Sequence, residues 1–150
     1  MSHNRIEKAV VIGGGVMGSG IAAHLANARI PVDLLDIVPE PGDGDDPDDP
    51  AFRNKLARSA IEEMKEQSPS PVYLERDLEL ITPGNVEDHL DRLADADWVV
   101  EAVPEVMSIK QETFAKIEEH AGEDTLITSN TSGLSIDGML EGRSEGFKER

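Results

Sequence analysis

The chain has no cysteine, so disulfides and thiolate metal sites are excluded. Aromatic residues make up only 3% of the 150 positions, so the core has to be aliphatic, built from Val, Ile, Leu, Ala and Met. No apolar run approaches the length of a membrane span. Residues 1–8 are polar and mixed in charge, unlike a secretory signal. Basic residues are in deficit: 14 Lys and Arg stand against 31 Asp and Glu, for a net charge of −17. That balance argues against a nucleic-acid partner, whose phosphates need a basic surface. What these absences leave is a cytoplasmic protein of one domain, long enough to bury a core.

Part of the acidity is local. Glu40, Asp43, Asp45, Asp46, Asp48 and Asp49 fall within residues 39–50 with no base among them. A solvated, highly soluble surface accounts for such an excess. A salt-rich cytoplasm is a sharper reading that one chain does not establish.

What is present is a glycine pattern in a telling context. Residues 10–21 read Val-Val-Ile-Gly-Gly-Gly-Val-Met-Gly-Ser-Gly-Ile. Gly13-x-Gly15-x-x-Gly18 thus follows an apolar strand-like run and opens a helix-like one. In a loop that wraps a pyrophosphate, the first glycine permits the tight turn and the second lets backbone approach phosphate. The third lets helix pack on strand. The helix start offers unpaired N–H groups and the positive end of its dipole to the anion.

Spacing predicts strands at residues 8–12, 32–36, 78–81, 98–102 and 126–128. Helical periodicity covers 16–28, and Phe52, Leu56, Ala60, Ile61 and Met64 mark a second helical face. Asp49-Pro50 reads as an N-cap with proline in the first helical position, and Ser68-Pro69-Ser70-Pro71 as the stop. Pro83-Gly84-Asn85 reads as a turn whose Asn85 caps a short helix through Val86, Leu90 and Leu93. Ser108-x-x-Gln111 is a capping-box pattern for a helix carrying Ile109, Thr113, Phe114 and Ile117, with Gly122 as its stop. Ile136, Met139 and Leu140 fit a short helix, and residues 143–150 read as surface. The alternation predicts an α/β fold: a Rossmann-like, doubly wound parallel sheet with helices on both faces. Residues 39–50 form an exposed acidic loop on it.

Asp36 lies 23 residues after Gly13, at the end of the second strand. A dinucleotide fold places there an acid that binds the adenosine ribose hydroxyls and repels a 2′-phosphate. No arginine follows in Ile37-Val38-Pro39, so the cofactor is read as NAD rather than NADP. Glu101 and Glu105 bracket another strand end and are placed to face a cofactor or substrate, while each taken alone reads first as a surface or capping acid. Ser129-Asn130-Thr131-Ser132 sits at the next strand end on the same edge, either as a polar turn or as groups that orient a carboxamide or a substrate oxygen. Asn130-Thr131-Ser132 also fits the glycosylation pattern, which is discounted without a secretory signal. His3, His24, His89 and His120 show no metal-ligand spacing, so no metal site is expected, and each reads as structural or solvent-facing.

Four segments together resemble the NAD-binding domain of 3-hydroxyacyl-CoA dehydrogenases. They are Val-Ile-Gly-Gly-Gly-Val-Met-Gly-Ser-Gly-Ile-Ala at 11–22, Leu-Leu-Asp at 34–36, Ala-Asp-Trp-Val-Val-Glu-Ala-Val-Pro-Glu at 96–105 and Ser-Asn-Thr-Ser-Gly-Leu-Ser-Ile at 129–136. The stretch at 71–100, with Ile81-Thr82-Pro83-Gly84-Asn85, is most similar to long bacterial members that carry an enoyl-CoA hydratase-like region further on. The resemblance implies oxidation of (3S)-3-hydroxyacyl-CoA to 3-oxoacyl-CoA in fatty acid beta-oxidation, with an acyl-CoA substrate and a homo-oligomeric full-length enzyme. It implies that Gly13, Gly15 and Gly18, with Val16 and Met17 between them, form the pyrophosphate loop and that Asp36 is the ribose acid. Glu105 and Lys110 would contact NAD towards its nicotinamide side, and Ser132 would lie near the substrate hydroxyl and nicotinamide, with Asn130 in the same loop. The family's catalytic histidine, in a His-Phe-Phe-Asn-Pro-like segment, and its helical C-terminal domain are expected beyond Arg150. The ending Phe147-Lys148-Glu149-Arg150 reads as a cut, and the chain alone is expected to be inactive. A dehydrogenase of another hydroxy acid and a non-catalytic NAD-binding module remain alternatives.

Overall fold

The apolar run before the first glycine forms a strand with no exposed residue, β1 (Ala9–Ile12), in the computed structural model, which describes residues 5–150. Four further strands join it: β2 (Val32–Asp36), β3 (Ile81–Asn85), β4 (Trp98–Glu101) and β5 (Leu126–Ser129). All pairings are parallel, in the order β3-β2-β1-β4-β5. The chain winds outward from β1 to β3, then crosses back to β4 and β5. That reversal puts the topological switch point between β1 and β4, where open α/β sheets bind ligands beyond their strand ends.

Among the described residues six helices cover the sheet: α1 (Val16–Asn27), α2 (Pro50–Arg53), α3 (Lys55–Glu66), α4 (Met107–His120), α5 (Ile136–Met139) and α6 (Glu145–Lys148). One core packs Ala22, Ala26 and Met64 of α1 and α3 against Val11, Leu34 and Val100. The other packs Phe114, Ile117, Met139 and Phe147 of α4, α5 and α6 against Val10, Ile12 and Val99. The two cores lie on opposite faces, so the sheet is doubly wound as expected. The acidic loop is exposed throughout residues 40–50. Asp49 caps α2, accepting from the Ala51 N–H at 3.0 Å with Pro50 in the first turn.

Several expectations need correction. Residues 75–80 form a 3-10 turn, and the strand begins only at Ile81. It runs through Pro83-Gly84-Asn85, because β3 is the sheet edge, where a missing N–H costs no ladder bond. A Cβ at Gly84 would lie 2.7 Å from Leu35 Cδ2, so a larger residue there would make the side chains around it shift. Asn85 does accept backbone bonds, from the Glu87 and Asp88 N–H groups, but the following 3-10 turn starts later, at Leu90. Ser108 does not open α4: the helix starts at Met107 without a side-chain cap, and Gln111 donates instead to the Gly138 carbonyl. The second helical face is divided at Asn54, and Ala57 rather than Leu56 is buried. Residues 143–150 are not simply surface. Phe147 of α6 is buried, edge-on to Phe114 with ring centroids 6.4 Å apart. His3 lies outside the described residues.

Candidate functional site

The glycine loop sits at the switch point, between the ends of β1, β2 and β4. Gly13 has φ +108°, and a Cβ there would stand 2.5 Å from the Ala102 carbonyl oxygen, so no side chain fits. A Cβ on Gly18 would fall 1.7 Å from the Gly13 oxygen, which brings α1 hard onto the end of β1. Gly15 is the opposite case. It is the N-cap of α1, makes no side-chain cap bond, and a Cβ on it would meet nothing within 4 Å. The space in front of the helix start is open, and the first-turn N–H groups of α1 face it. Val16, 90% exposed, and Met17 flank that space.

Asp36 closes the loop from the end of β2. Its Oδ2 accepts the Gly14 N–H at 3.0 Å and its Oδ1 the Ile37 N–H at 2.7 Å. Each oxygen keeps a lone pair, which is what two vicinal ribose hydroxyls require. Beside the carboxylate opens a largely apolar cleft of about 320 Å³, walled by Ile37, Val86, Leu90, Val103 and Ile109. Its volume is at the lower end for ligand clefts. This slot escaped the sequence reading because its walls come from four separate segments.

On the other side of the switch point the polar residues are linked in a closed ring. Glu101, at the end of β4, is 0% exposed, and Lys110 of α4 is 1% exposed. The Lys110 ammonium lies 2.5 Å from Glu101 Oε1, 3.1 Å from the Val103 carbonyl and 3.0 Å from Glu105 Oε1. Glu105 Oε2 accepts from Thr131 Oγ1 at 3.1 Å and from the Ser132 and Gly133 N–H groups at 3.4 and 3.3 Å. The Ser129 hydroxyl accepts the Thr131 N–H at 3.1 Å and donates to Glu101 Oε2 at 2.7 Å. The hydrogen bond from Lys110, then those from Thr131, Gly133 and Ser132, hold the Glu105 carboxyl below the usual carboxylate range against the opposing effect of desolvation.

The structure therefore brings Gly13, Gly15, Val16, Met17, Gly18, Asp36, Glu105, Asn130 and Ser132 to one edge of the sheet. Ser132 is exposed on its turn, and Asn130 shares a shallow groove with Met17 and His24. Lys110 belongs to the same network but lies beneath it, its three N–H donors facing three oxygens of the chain. Glu101 does not face the open site, as its position had suggested, but is buried behind it. His89 accepts the Asn85 N–H and His120 bonds the Lys116 carbonyl, both away from the Ser132 turn. Among the described residues no group of His, Asp and Glu is placed to hold a metal ion, and no helix is long and apolar enough to cross a membrane.

Residues 8–148 match the family described as 3-hydroxyacyl-CoA dehydrogenase, NAD binding domain. A Bacillus subtilis protein named a probable 3-hydroxyacyl-CoA dehydrogenase is 46% identical over 97% of this chain, which spans 19% of that protein. A Shewanella baltica fatty acid oxidation complex subunit alpha is 35% identical over 93% of the chain and is likewise matched over 19% of its own length. Among solved structures, 3-hydroxybutyryl-CoA dehydrogenase from Escherichia coli K12 superposes with a TM-score of 0.70 at 27% identity, covering 95% of this chain and 28% of that one.

Proposed function

Because the chain belongs to the NAD-binding domain family of 3-hydroxyacyl-CoA dehydrogenases, we propose that it is the NAD-holding domain of an enzyme that oxidises (3S)-3-hydroxyacyl-CoA to 3-oxoacyl-CoA in fatty acid oxidation. The observation that carries this reading is the contrast within the glycine loop. A Cβ collides with backbone at Gly13 and Gly18 but meets open space at Gly15, directly before the N–H groups of α1. The protein's own atoms leave that space free where a pyrophosphate would lie.

The residues present fit NAD. The α1 start would neutralise the pyrophosphate, Asp36 would accept both adenosine-ribose hydroxyls, and the apolar slot would take the adenine. An added 2′-phosphate would meet the Asp36 carboxylate, and Lys116, the cation lining the slot, is already paired with Glu112, so NADP is disfavoured. When bound, NAD supplies the electron acceptor for the bond between C3 of the substrate and its hydrogen. Glu105, held anionic, borders the nicotinamide end, and Ser132 on its clamped turn orients the substrate hydroxyl, with Asn130 beside it. The hydroxyl proton needs a base; His89 and His120 bond backbone away from the Ser132 turn, and His24 lines the groove of Asn130 without bonding that turn. We place that base, and the helical domain that completes the acyl-CoA site, in sequence beyond Arg150. The whole enzyme is proposed to be a cytoplasmic homo-oligomer.

Calorimetric titration of the chain tests the cofactor: NAD should bind and NADP should bind far more weakly. Equal affinities would overturn the assignment of Asp36. Acetoacetyl-CoA and NADH should give no turnover with this chain alone, and clear turnover would show that the base lies within it.

A further inference from the structure

Burying a carboxylate is expensive, and an apolar side chain would fill the space under the Ser132 turn at less cost. Glu101 is nonetheless completely buried, with both oxygens engaged. Its two partners explain why an acid is there. One oxygen holds Lys110, which in turn holds Glu105; the other holds Ser129, which holds Thr131 and so the turn carrying Ser132. Glu105 and that turn meet again through Thr131, closing a ring of five side chains drawn from β4, α4, β5 and the loops after β4 and β5. Without the Glu101 carboxylate the side-chain links between the two loops would be confined to their exposed rim.

We infer that Glu101 is a positioning residue: its buried carboxylate sets Glu105 and the Ser132 turn in register at the nicotinamide end of the site, touching neither cofactor nor substrate. This rests on the NAD reading above and adds to it. The adenosine half of the site is held by other groups, the Gly14 and Ile37 N–H groups on Asp36. Loss of Glu101 therefore acts on one half only. In Glu101→Gln the side chain keeps its shape and its acceptor but loses its charge. Lys110 then has Glu105 as its one carboxylate partner beside the Val103 carbonyl and draws it inward, away from the Ser132 and Gly133 N–H groups.

The test is a pair of calorimetric titrations on the full chain, with NAD and with ADP-ribose, which lacks only the nicotinamide. Glu101→Gln should weaken NAD about tenfold, the effect of one lost charge-assisted hydrogen bond, and leave ADP-ribose within about twofold of wild type. A role limited to general stability would lower both affinities together. Ser129→Ala removes the second arm with far less disturbance and should show the same selective loss. It decides the question if Glu101→Gln does not fold. Equal losses for the two ligands, or no loss of NAD affinity in a folded variant, would overturn the proposal. A wild-type chain that bound neither ligand would overturn the NAD reading itself, and this inference with it.

Discussion

Placing a small side chain at Gly18 and at Gly15 should produce opposite phenotypes. At Gly18 a Cβ would lie 1.7 Å from the Gly13 oxygen and 2.8 Å from the Gly13 carbonyl carbon. Both are backbone atoms of a residue itself fixed by φ +108° and by its N–H bond to Leu35 O at 2.7 Å. Nothing flexible can yield, so α1 must lift from β1 and disturb Ala22, Ala23 and Ala26. Overpacking costs about 1–3 kcal/mol, and movement of a whole helix puts Gly18→Ala at the upper end. At this chain length that lowers Tm by about 6–12 °C. Gly15 has φ −66° and ψ −172°, a conformation open to any residue, and serine is a favoured N-cap. Gly15→Ser should therefore melt within about 2 °C of wild type, since serine exceeds glycine as an N-cap by only about a few tenths of a kcal/mol. Its side chain would nevertheless occupy the space before α1. Losing the helix-start contacts to a pyrophosphate is worth about 2–3 kcal/mol, roughly a hundredfold in Kd. Circular-dichroism melts and NAD calorimetry on both variants read these effects separately. A Gly15→Ser chain with wild-type NAD affinity, or a Gly18→Ala chain with wild-type Tm, would refute the reasoning.

Three further outcomes are expected. Asp36→Ala should weaken NAD by about tenfold or more through two lost ribose hydrogen bonds to a charged acceptor; unchanged affinity by calorimetry would remove Asp36 from the site. Phe147→Ala should lower stability by about 3–4 kcal/mol by chemical denaturation, as for other buried Phe truncations; a change below about 1 kcal/mol would mean that α6 is not docked on Phe114 in solution. The Arg53 hydrogen bond, followed by that of Asn85, lowers the Asp88 carboxyl from 3.8 to about 2. A group whose pKa is depressed by folding stabilises the fold above its unfolded value and loses that contribution as pH falls through the folded one. Acid melts should thus steepen between about pH 4 and 2, and Asp88→Asn should show a shallower fall there; identical acid profiles would contradict the pairing.

The strands and helices legible from sequence are those whose evidence is local. The apolar runs of β1, β2, β4 and β5 and the glycine spacing before α1 needed no distant residue to identify them. β3 failed that test because its Pro83 and Gly84 look like a turn, and only the edge position beside β2, with Leu35 pressed against Gly84, makes them a strand. α6 was overlooked because a single phenylalanine, Phe147, carries its packing, and Phe114, the ring it meets, lies far away in sequence. Lys110 and Glu101 were named, yet a charged residue's pattern does not reveal that it lies beneath a site rather than on it.

That difference extends to the two halves of the candidate site. The proposed adenosine side is built mostly from backbone: Gly13 and Gly18, which admit no Cβ, helix N–H groups, and one carboxylate pinned by the Gly14 and Ile37 N–H groups. Its rules are steric and short-range, so it leaves a readable motif, and single changes there should act steeply. The proposed nicotinamide side is a relay of side chains, in which Glu101, Lys110, Glu105, Thr131 and Ser129 each depend on the next. No spacing rule links them, and each bond depends on the others to hold its partner in place. Substitutions around this ring should therefore be non-additive: Glu101→Gln combined with Ser129→Ala should weaken NAD scarcely more than either alone, because each already opens the same ring. Fully additive losses would mean that the two arms act independently and that the ring is only a chain of neighbours.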